Sequence, residues 1–337
     1  MTTRRALLGA ALASPALAAP FLATPARAQG SAASGTGAWP DRPIRMIVPY
    51  PPAGSTDLLT RLLCERLSQK LGQNFVVENR PGAGGNIGMD AVAKAAPDGY
   101  TFGASTIGHF SINQYLYSKM PWDIDRDFIP VALTWEFPNV VVVSSQHVPA
   151  TTLQDFIAWV RKQPNGVSFG SPGVGTTPHL SGEIFRNRLK LDATHVPFRG
   201  AAQTIPAMLS GDVTFAIDNL ASYVPVIQEG RMRALAVTGA RRWPTLPDVP
   251  TMAEAGMEDF VITSWGAFVA PAATPRPIID RMNAALREIS ADEGLKQRFL
   301  QAGGTPLWST PEEAIARGKA ERPLWEAAVK SSGARAD

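Results

Sequence analysis

The stretch IRMIVPYPPAGSTDLLTRLLCERLSQKL, residues 44–71, decides the fold. Ile44 to Val48 is a short apolar run with β-branched side chains and reads as a strand. From Thr56 onward the period changes. Leu58, Leu59, Leu62, Leu63, Leu67 and Leu71 fall on one broad face of a helix. A strand that feeds a helix through one short loop is a βα unit, and the unit recurs. Strands are predicted over 75–77, 101–105, 140–144, 167–170, 194–197, 213–217 and 235–237. Helices are predicted over 87–94, 113–117, 153–162, 180–189, 201–209 and 224–228. A strand over 263–269 and helices over 277–289, 295–301 and 311–329 close the chain. Such alternation implies right-handed βαβ crossovers and mainly parallel sheets, and two successive series favour two α/β domains. With 337 residues, 45% of them hydrophobic and 18% charged, the chain can bury two cores and is not a disordered polymer.

The N-terminus addresses compartment. Thr3, Arg4 and Arg5 form a positive region, Ala6 to Ala19 an apolar run too short to span a bilayer, and Ala26-Arg27-Ala28 a small-residue cleavage site. A signal peptide over 1–28 and a periplasmic mature protein are therefore expected. The Arg4-Arg5 pair leaves both the ordinary secretory and the twin-arginine route open. Removing three arginines with the leader leaves 29 basic against 29 acidic residues, and no basic run carries interleaved aromatics, so nucleic acid is not an expected partner. Cys64 lies within a helical pattern and reads as a small core residue.

In α/β folds ligands sit where strands end and helices begin. The loop PYPPAGSTD, residues 49–57, is such a place. Prolines stiffen it, Gly54 lets the backbone approach a guest, and Ser55, Thr56 and Asp57 are helix-start residues whose amides favour an anion. The loop NRPGAGGNIG, residues 79–88, follows a strand but lacks the third glycine of a dinucleotide fingerprint; it reads as a turn lining a cleft, with Asn86 as a contact. The loop FGSPGVGTTPH, residues 169–179, has Thr176 where a nucleotide-binding loop needs lysine. Thr177 as cap with Pro178 in the first turn makes a strong helix start.

Candidate ligand contacts are thus Pro51, Ala53, Gly54, Ser55, Thr56, Asp57, Asn86, Ser105, Ser171, Val174, Gly175, Thr176 and His179. Further candidates follow other strands: Thr106 beside Ser105, Phe198-Arg199-Gly200, and Asp218-Asn219 with Ser222. Arg199 could clamp a carboxylate in a two-pronged fork, and Asp218 could accept from a ligand hydroxyl or amine. Gly166-Val-Ser168-Phe-Gly170 matches the spelling of a nucleophile elbow, but Ser168 falls inside a strand rather than at the sharp turn such a serine needs. The four histidines lack metal-ligand spacing, so neither metal nor cofactor is expected.

Taken in order, WPDRPIRMIVPYPPAGSTD, VVENRPGAGGNIG, PDGYTF, FGSPGVGTTPHLSGE, HVPFRGAAQTIPAMLSGDV, RALAVTGARRWPTLPDVPTMAEAG and SWGAFVAPAATP resemble the Bug family, the solute receptors of tripartite tricarboxylate transporters. The resemblance runs from about Trp39 to Ala327. It implies a type II periplasmic binding protein, with two α/β domains closing on an interdomain cleft about a hinge. The first domain would comprise 40–139 and 261–337, the second 140–260. It implies capture of a small organic carboxylate, delivery to membrane permease subunits, no enzyme activity, and a monomer. Three features depart from the family pattern: Ala53 replaces a glycine, Phe198 replaces a tyrosine, and the segment Trp135-Glu136-Phe137 is bulky. These point to an aromatic or apolar-tailed carboxylate. A receptor feeding a sensor kinase, and a serine hydrolase using Ser168, are the alternatives.

Overall fold

The computed structural model describes residues 39–336. The leader expected over 1–28 lies outside them. Strand β1 (Ile44–Val48) sits between β2 (Phe75–Asn79) and β3 (Thr101–Thr106), parallel to both. Helices α1 (Ser55–Leu71) and α2 (Asn86–Ala93) make the crossovers, and the short α3 (Asn113–Leu116) follows β3. On α1 the four-residue spacing of Leu59, Leu63 and Leu67 forms the buried stripe, while Leu58 is 38% exposed. Cys64 is buried in the same stripe, and burial pushes its thiol well above its usual range, so it packs rather than reacts.

The second parallel set is β5 (Val167–Ser171), β6 (Ala193–Pro197) and β7 (Phe215–Asn219), with α5 (Thr177–Leu189) and α6 (Ala201–Ser210) between them. Helix α4 (Leu153–Val160) precedes the set, and α7 (Leu220–Gln228) and β8 (Met232–Val237) follow it.

The centre departs from the mainly parallel expectation. Strand β4 runs over Phe128–Ser144, 17 residues, and pairs antiparallel with β9 (Thr263–Pro271), β7 and β8. Its first part, through Pro138, pairs β9; from Asn139 onward it pairs β7 and β8. One strand thereby joins the two sets, in the order β2-β1-β3-β9-β4-β7-β5-β6. The sequence marks only Val140 to Ser144 as strand, because Pro130 and Pro138 demote the preceding residues. The register shifts at Pro130/Ala132 and Leu133/Trp135, and these bulges absorb the interruption.

Alternation along β4 divides the core. Val140 and Val142 pack with Met208, Leu220 and Tyr223, whereas Val141 and Val143 pack with Phe156, Phe169 and Phe215. Helices α8 (Arg276–Ser290) and α9 (Glu293–Gln301) cover the first set beside α1, and the short β10 (Thr305–Pro306) pairs Glu136 and Trp135. Helix α10 (Pro311–Ser332) begins in a capping box built by Thr310 and Glu313 and lies on β4. Among the described residues no helix is long and apolar enough to cross a membrane.

Candidate functional site

The loops that the sequence singles out at 49–57 and 169–179 open onto one cavity. Its empty volume is ≈ 850 Å³, part of it continuous with solvent. Pro51, Gly54, Ser55 and Thr56 line it from the first loop, and Val174, Gly175 and Thr176 from the other. Asp218, at the end of β7, also lies on the wall. These candidate contacts are brought together.

Ala53, Asp57, Asn86, Ser105, Ser171, His179 and Arg199 stand off the wall, most of them bracing the loops. Ala53 is solvent-exposed at φ 63°, and its amide donates to the Asp57 carboxylate at 3.0 Å. Asp57 also accepts from Arg61 and Asn79, each at 2.9 Å. Burial pushes the Asp57 pKa up, but the Arg61, Asn79 and Ala53 hydrogen bonds outweigh it and hold the group below the usual carboxylate range. Its task is therefore to hold the loop shut on itself. Asn86 accepts from the Asn113 side chain at 2.8 Å, and Asn113 is the one that reaches the wall.

Two histidines brace the loops in the same way. His109 Nδ1 accepts the Thr106 amide at 3.0 Å, with the Ser105 hydroxyl 3.4 Å away. His179 Nδ1 accepts the Gly175 amide at 3.0 Å. The Gly175 N–H therefore points at the imidazole, not at a guest. The His179 ring stacks on His195 with centroids 3.9 Å apart, and the Ser171 hydroxyl lies 2.7 Å from His195 Nε2. Ser171 and His179 thus sit behind the loop. Arg199 is exposed at the start of α6, away from the wall.

Sequence reasoning left several wall positions out of the candidate contacts. Ala201 and Ala202 contribute the start of α6, beside Gly200, which the sequence marks, as it marks Asn219 and Ser222 at the start of α7. Their signal was the recurring strand-to-helix junction itself, which small residues mark as faithfully as polar ones. Trp135, Phe137 and Trp265 supply the aromatic wall. Trp135 and Phe137 stack with centroids 5.1 Å apart and planes 7° from parallel. Ser168 stands in β5, its amide and hydroxyl joined to Thr214 and Asp212, so the sharp turn of a nucleophile elbow is not there.

The electrostatics come from backbone. Helices α1, α5, α6 and α7, and the helical turn from Gly108, all begin at the cavity. Among the described residues, the amides of Ser55, Thr56, Asp57, Thr177, Ala201 and Ala202 donate to no protein acceptor. Unpaired first-turn amides carry the positive end of the helix dipole, and an anion satisfies them. Hydroxyls stitch the helix starts together: Ser55 meets Ser222 at 2.7 Å, and Thr177 meets Ser264. Among the described residues, Asp218 is the wall's one acidic side chain. Burial lifts its carboxyl to about 7 against the hydrogen bonds it accepts from the Asn219 amide and the Tyr223 hydroxyl.

A mixed α/β sheet carrying one apolar cleft at the carboxyl ends of its strands defines a protein of the periplasmic-binding class. The profile of the family described as "Tripartite tricarboxylate transporter family receptor" matches residues 59–322, and the chain belongs to that family. It is 35% identical over 298 residues to protein BugT of Bordetella pertussis, covering 88% of this chain and 91% of BugT. The structure resembles R. palustris Rpa4515 with adipate at 36% identity and a TM-score of 0.84, over 88% of this chain and 98% of that one. MatC from Rhodopseudomonas palustris with bound malate aligns at 31% identity and a TM-score of 0.79, over 86% and 100% of the two chains.

Proposed function

We propose that this chain is a periplasmic receptor that captures a small organic carboxylate in the cleft and presents it to the membrane permease of a tripartite tricarboxylate-type transporter. In this reading residues 1–28 are removed on export, the mature protein is a monomer, and the step is binding without bond making. The lobes are 40–139 with 261–337, and 140–260. They hinge where β4 changes partners at Pro138 and Asn139, and where the chain returns before Thr263. The observation that carries the reading is the ring of unpaired first-turn amides around an apolar cleft whose wall, among the described residues, holds no Lys or Arg side chain. A carboxylate satisfies those amides without needing a cation. The adipate and malate bound by the two relatives named above support the same ligand class.

Calorimetry with small carboxylates and their methyl esters tests this. Micromolar binding of at least one acid, with its ester at least tenfold weaker, is expected. Esters binding as well as acids would remove the anion from the account. A second test uses Thr56→Asp. An acidic residue in the first turn of α1 suits the helix, so the melting temperature should hold. Its charge would face the bound carboxylate across roughly 6 Å, which costs about 3 kcal/mol at an effective dielectric near 20, or about a hundredfold in affinity. Undiminished carboxylate binding by Thr56→Asp would place the anion elsewhere.

A further inference from the structure

We propose that Asp218 carries a proton whenever the cleft is filled, so that capture of a carboxylate above neutral pH takes up one proton from solution. This rests on the carboxylate reading above and deepens it: the guest is held as an anion beside a neutral acid, not as one of two facing anions.

Three observations converge. The first is place. Asp218 ends β7 directly before the start of α7, is 1% exposed, and belongs to a wall that, among the described residues, carries no Lys or Arg. A second negative charge roughly 6 Å from the guest, at an effective dielectric near 20, weakens capture about a hundredfold. The second is the lack of a cation to offset that charge. Helix α7 presents Tyr223, β4 and β8 present Val140, Val142 and Val237, and α6 presents Met208. Helix α5 lies against the other face of β7; its Glu183 and Arg186 pair with each other at 2.6 Å, and its His179 is held neutral by burial. Asp57, at the start of α1, is spent on Arg61, Asn79 and the Ala53 amide. The third is a seat for the proton. Asp218 Oδ1 accepts the Asn219 amide at 2.6 Å, and Oδ2 lies 3.0 Å from the Tyr223 hydroxyl, which has a second acceptor in Met208 Sδ at 3.9 Å. A proton on Oδ2 donates to the Tyr223 oxygen while the Tyr223 hydrogen turns to Met208, so the neutral acid leaves neither hydrogen unpaired. Burial, working against the hydrogen bonds from Asn219 and Tyr223, already lifts the carboxyl to about 7, and a guest carboxylate raises it further. Below that pH the acid is neutral before the guest arrives. Above it the proton must be bound with the guest, so affinity falls as pH rises.

The test is calorimetry on the intact mature protein with acetate, benzoate, adipate and malate, in cationic amine buffers that do not compete for the anion seat. For the acid that binds tightest, affinity should fall about tenfold between pH 6.5 and pH 8.5. At pH 8 the heats in Tris and in triethanolamine, which release a proton with different enthalpies, should differ by the amount that corresponds to more than about half a proton taken up per guest. Asp218→Asn has the shape of the neutral acid, with a carbonyl for the Asn219 amide and an N–H for the Tyr223 oxygen. It should bind the same acid equally at both pH values to within about twofold, take up no proton, and exceed the wild-type affinity about tenfold at pH 8.5. The comparison of buffers needs no variant, so it decides even where Asp218→Asn does not fold. A wild-type affinity that does not change with pH, equal heats in the two buffers, or an Asp218→Asn protein that keeps the wild-type fall overturns the proposal and leaves the carboxylate reading intact. If none of the four acids binds, the carboxylate reading falls and takes this one with it.

Discussion

Acidification from pH 6.5 to 4.5 is expected to cost the folded protein about 3 kcal/mol of stability, well before most surface carboxylates titrate. His109 and His179 use Nδ1 to accept the Thr106 and Gly175 amides, so both rings must be neutral in the fold. Burial pushes His109 down to about 3. Burial, then the Arg186 charge, pushes His179 down to about 4. His195 moves the same way, to about 3, through burial, then His179 and Arg186. In the unfolded chain all three take up protons near pH 6.5, whereas the folded rings stay neutral until about pH 4 or below. The unfolded state thus holds more protons throughout the window, and stability falls as pH falls. Two acids oppose this. Burial raises Asp218 to about 7 and also raises Glu183, so the fold gains protons there. Asp218 offsets one histidine across the window and Glu183 acts in the same direction, which leaves a net slope of at least about 1.4 kcal/mol per pH unit. Urea midpoints at pH 7, 5.5 and 4.5 read it directly, and a flat or rising profile would contradict it. His109→Asn, whose side-chain oxygen can accept the Thr106 amide, should flatten the slope by about 1.4 kcal/mol per unit.

Gly303→Ala should be the second large effect, a loss of about 3 kcal/mol. Gly303 ends α9 at φ +78°, with its amide on Leu300 O and the next amide on Phe299 O. An alanine there carries about 1 kcal/mol of backbone strain. Its Cβ would also lie 2.9 Å from the backbone N and Cα of Ala221, atoms that no side-chain rotation can move aside. Overpacking of this kind typically adds about 2 kcal/mol. Gly72, which ends α1 at φ +71° with nothing within 4 Å, is the matched control and should cost only the conformational part, about 1 kcal/mol. Differential scanning calorimetry separates the two. Equal shifts for Gly303→Ala and Gly72→Ala would mean that the Ala221 contact relaxes freely. Ala221 precedes Ser222 on the cleft wall, so carboxylate affinity should drop in Gly303→Ala and hold in Gly72→Ala.

The central strand shows where a one-dimensional reading stops. Residues 128–139 carry Pro130, Thr134, Glu136 and Pro138, which by local rule end a strand. They form one because β9, more than a hundred residues later, supplies an antiparallel partner and tolerates two register shifts. The site divides in the same way. Ser55, Thr56 and Thr176 reach the cleft as helix-start residues should, whereas Asp57, Ser105, Ser171 and His179 have equally polar side chains that turn back to tie the loops. Local spacing cannot separate the two groups, because both satisfy the same capping chemistry.

By itself the sequence determined the βα alternation, the loops at 49–57 and 169–179, and the anion preference of the helix starts. Each depends on residues within a few positions of one another, where periodicity and capping act. Only the tertiary structure decided that the starts of α1, α5, α6 and α7 share one cleft, that Trp135 and Trp265 wall it, and that His109 and His179 brace rather than bind. Those outcomes depend on which strands pair across long stretches of chain, and burial and pairing energies, not neighbouring residues, select them.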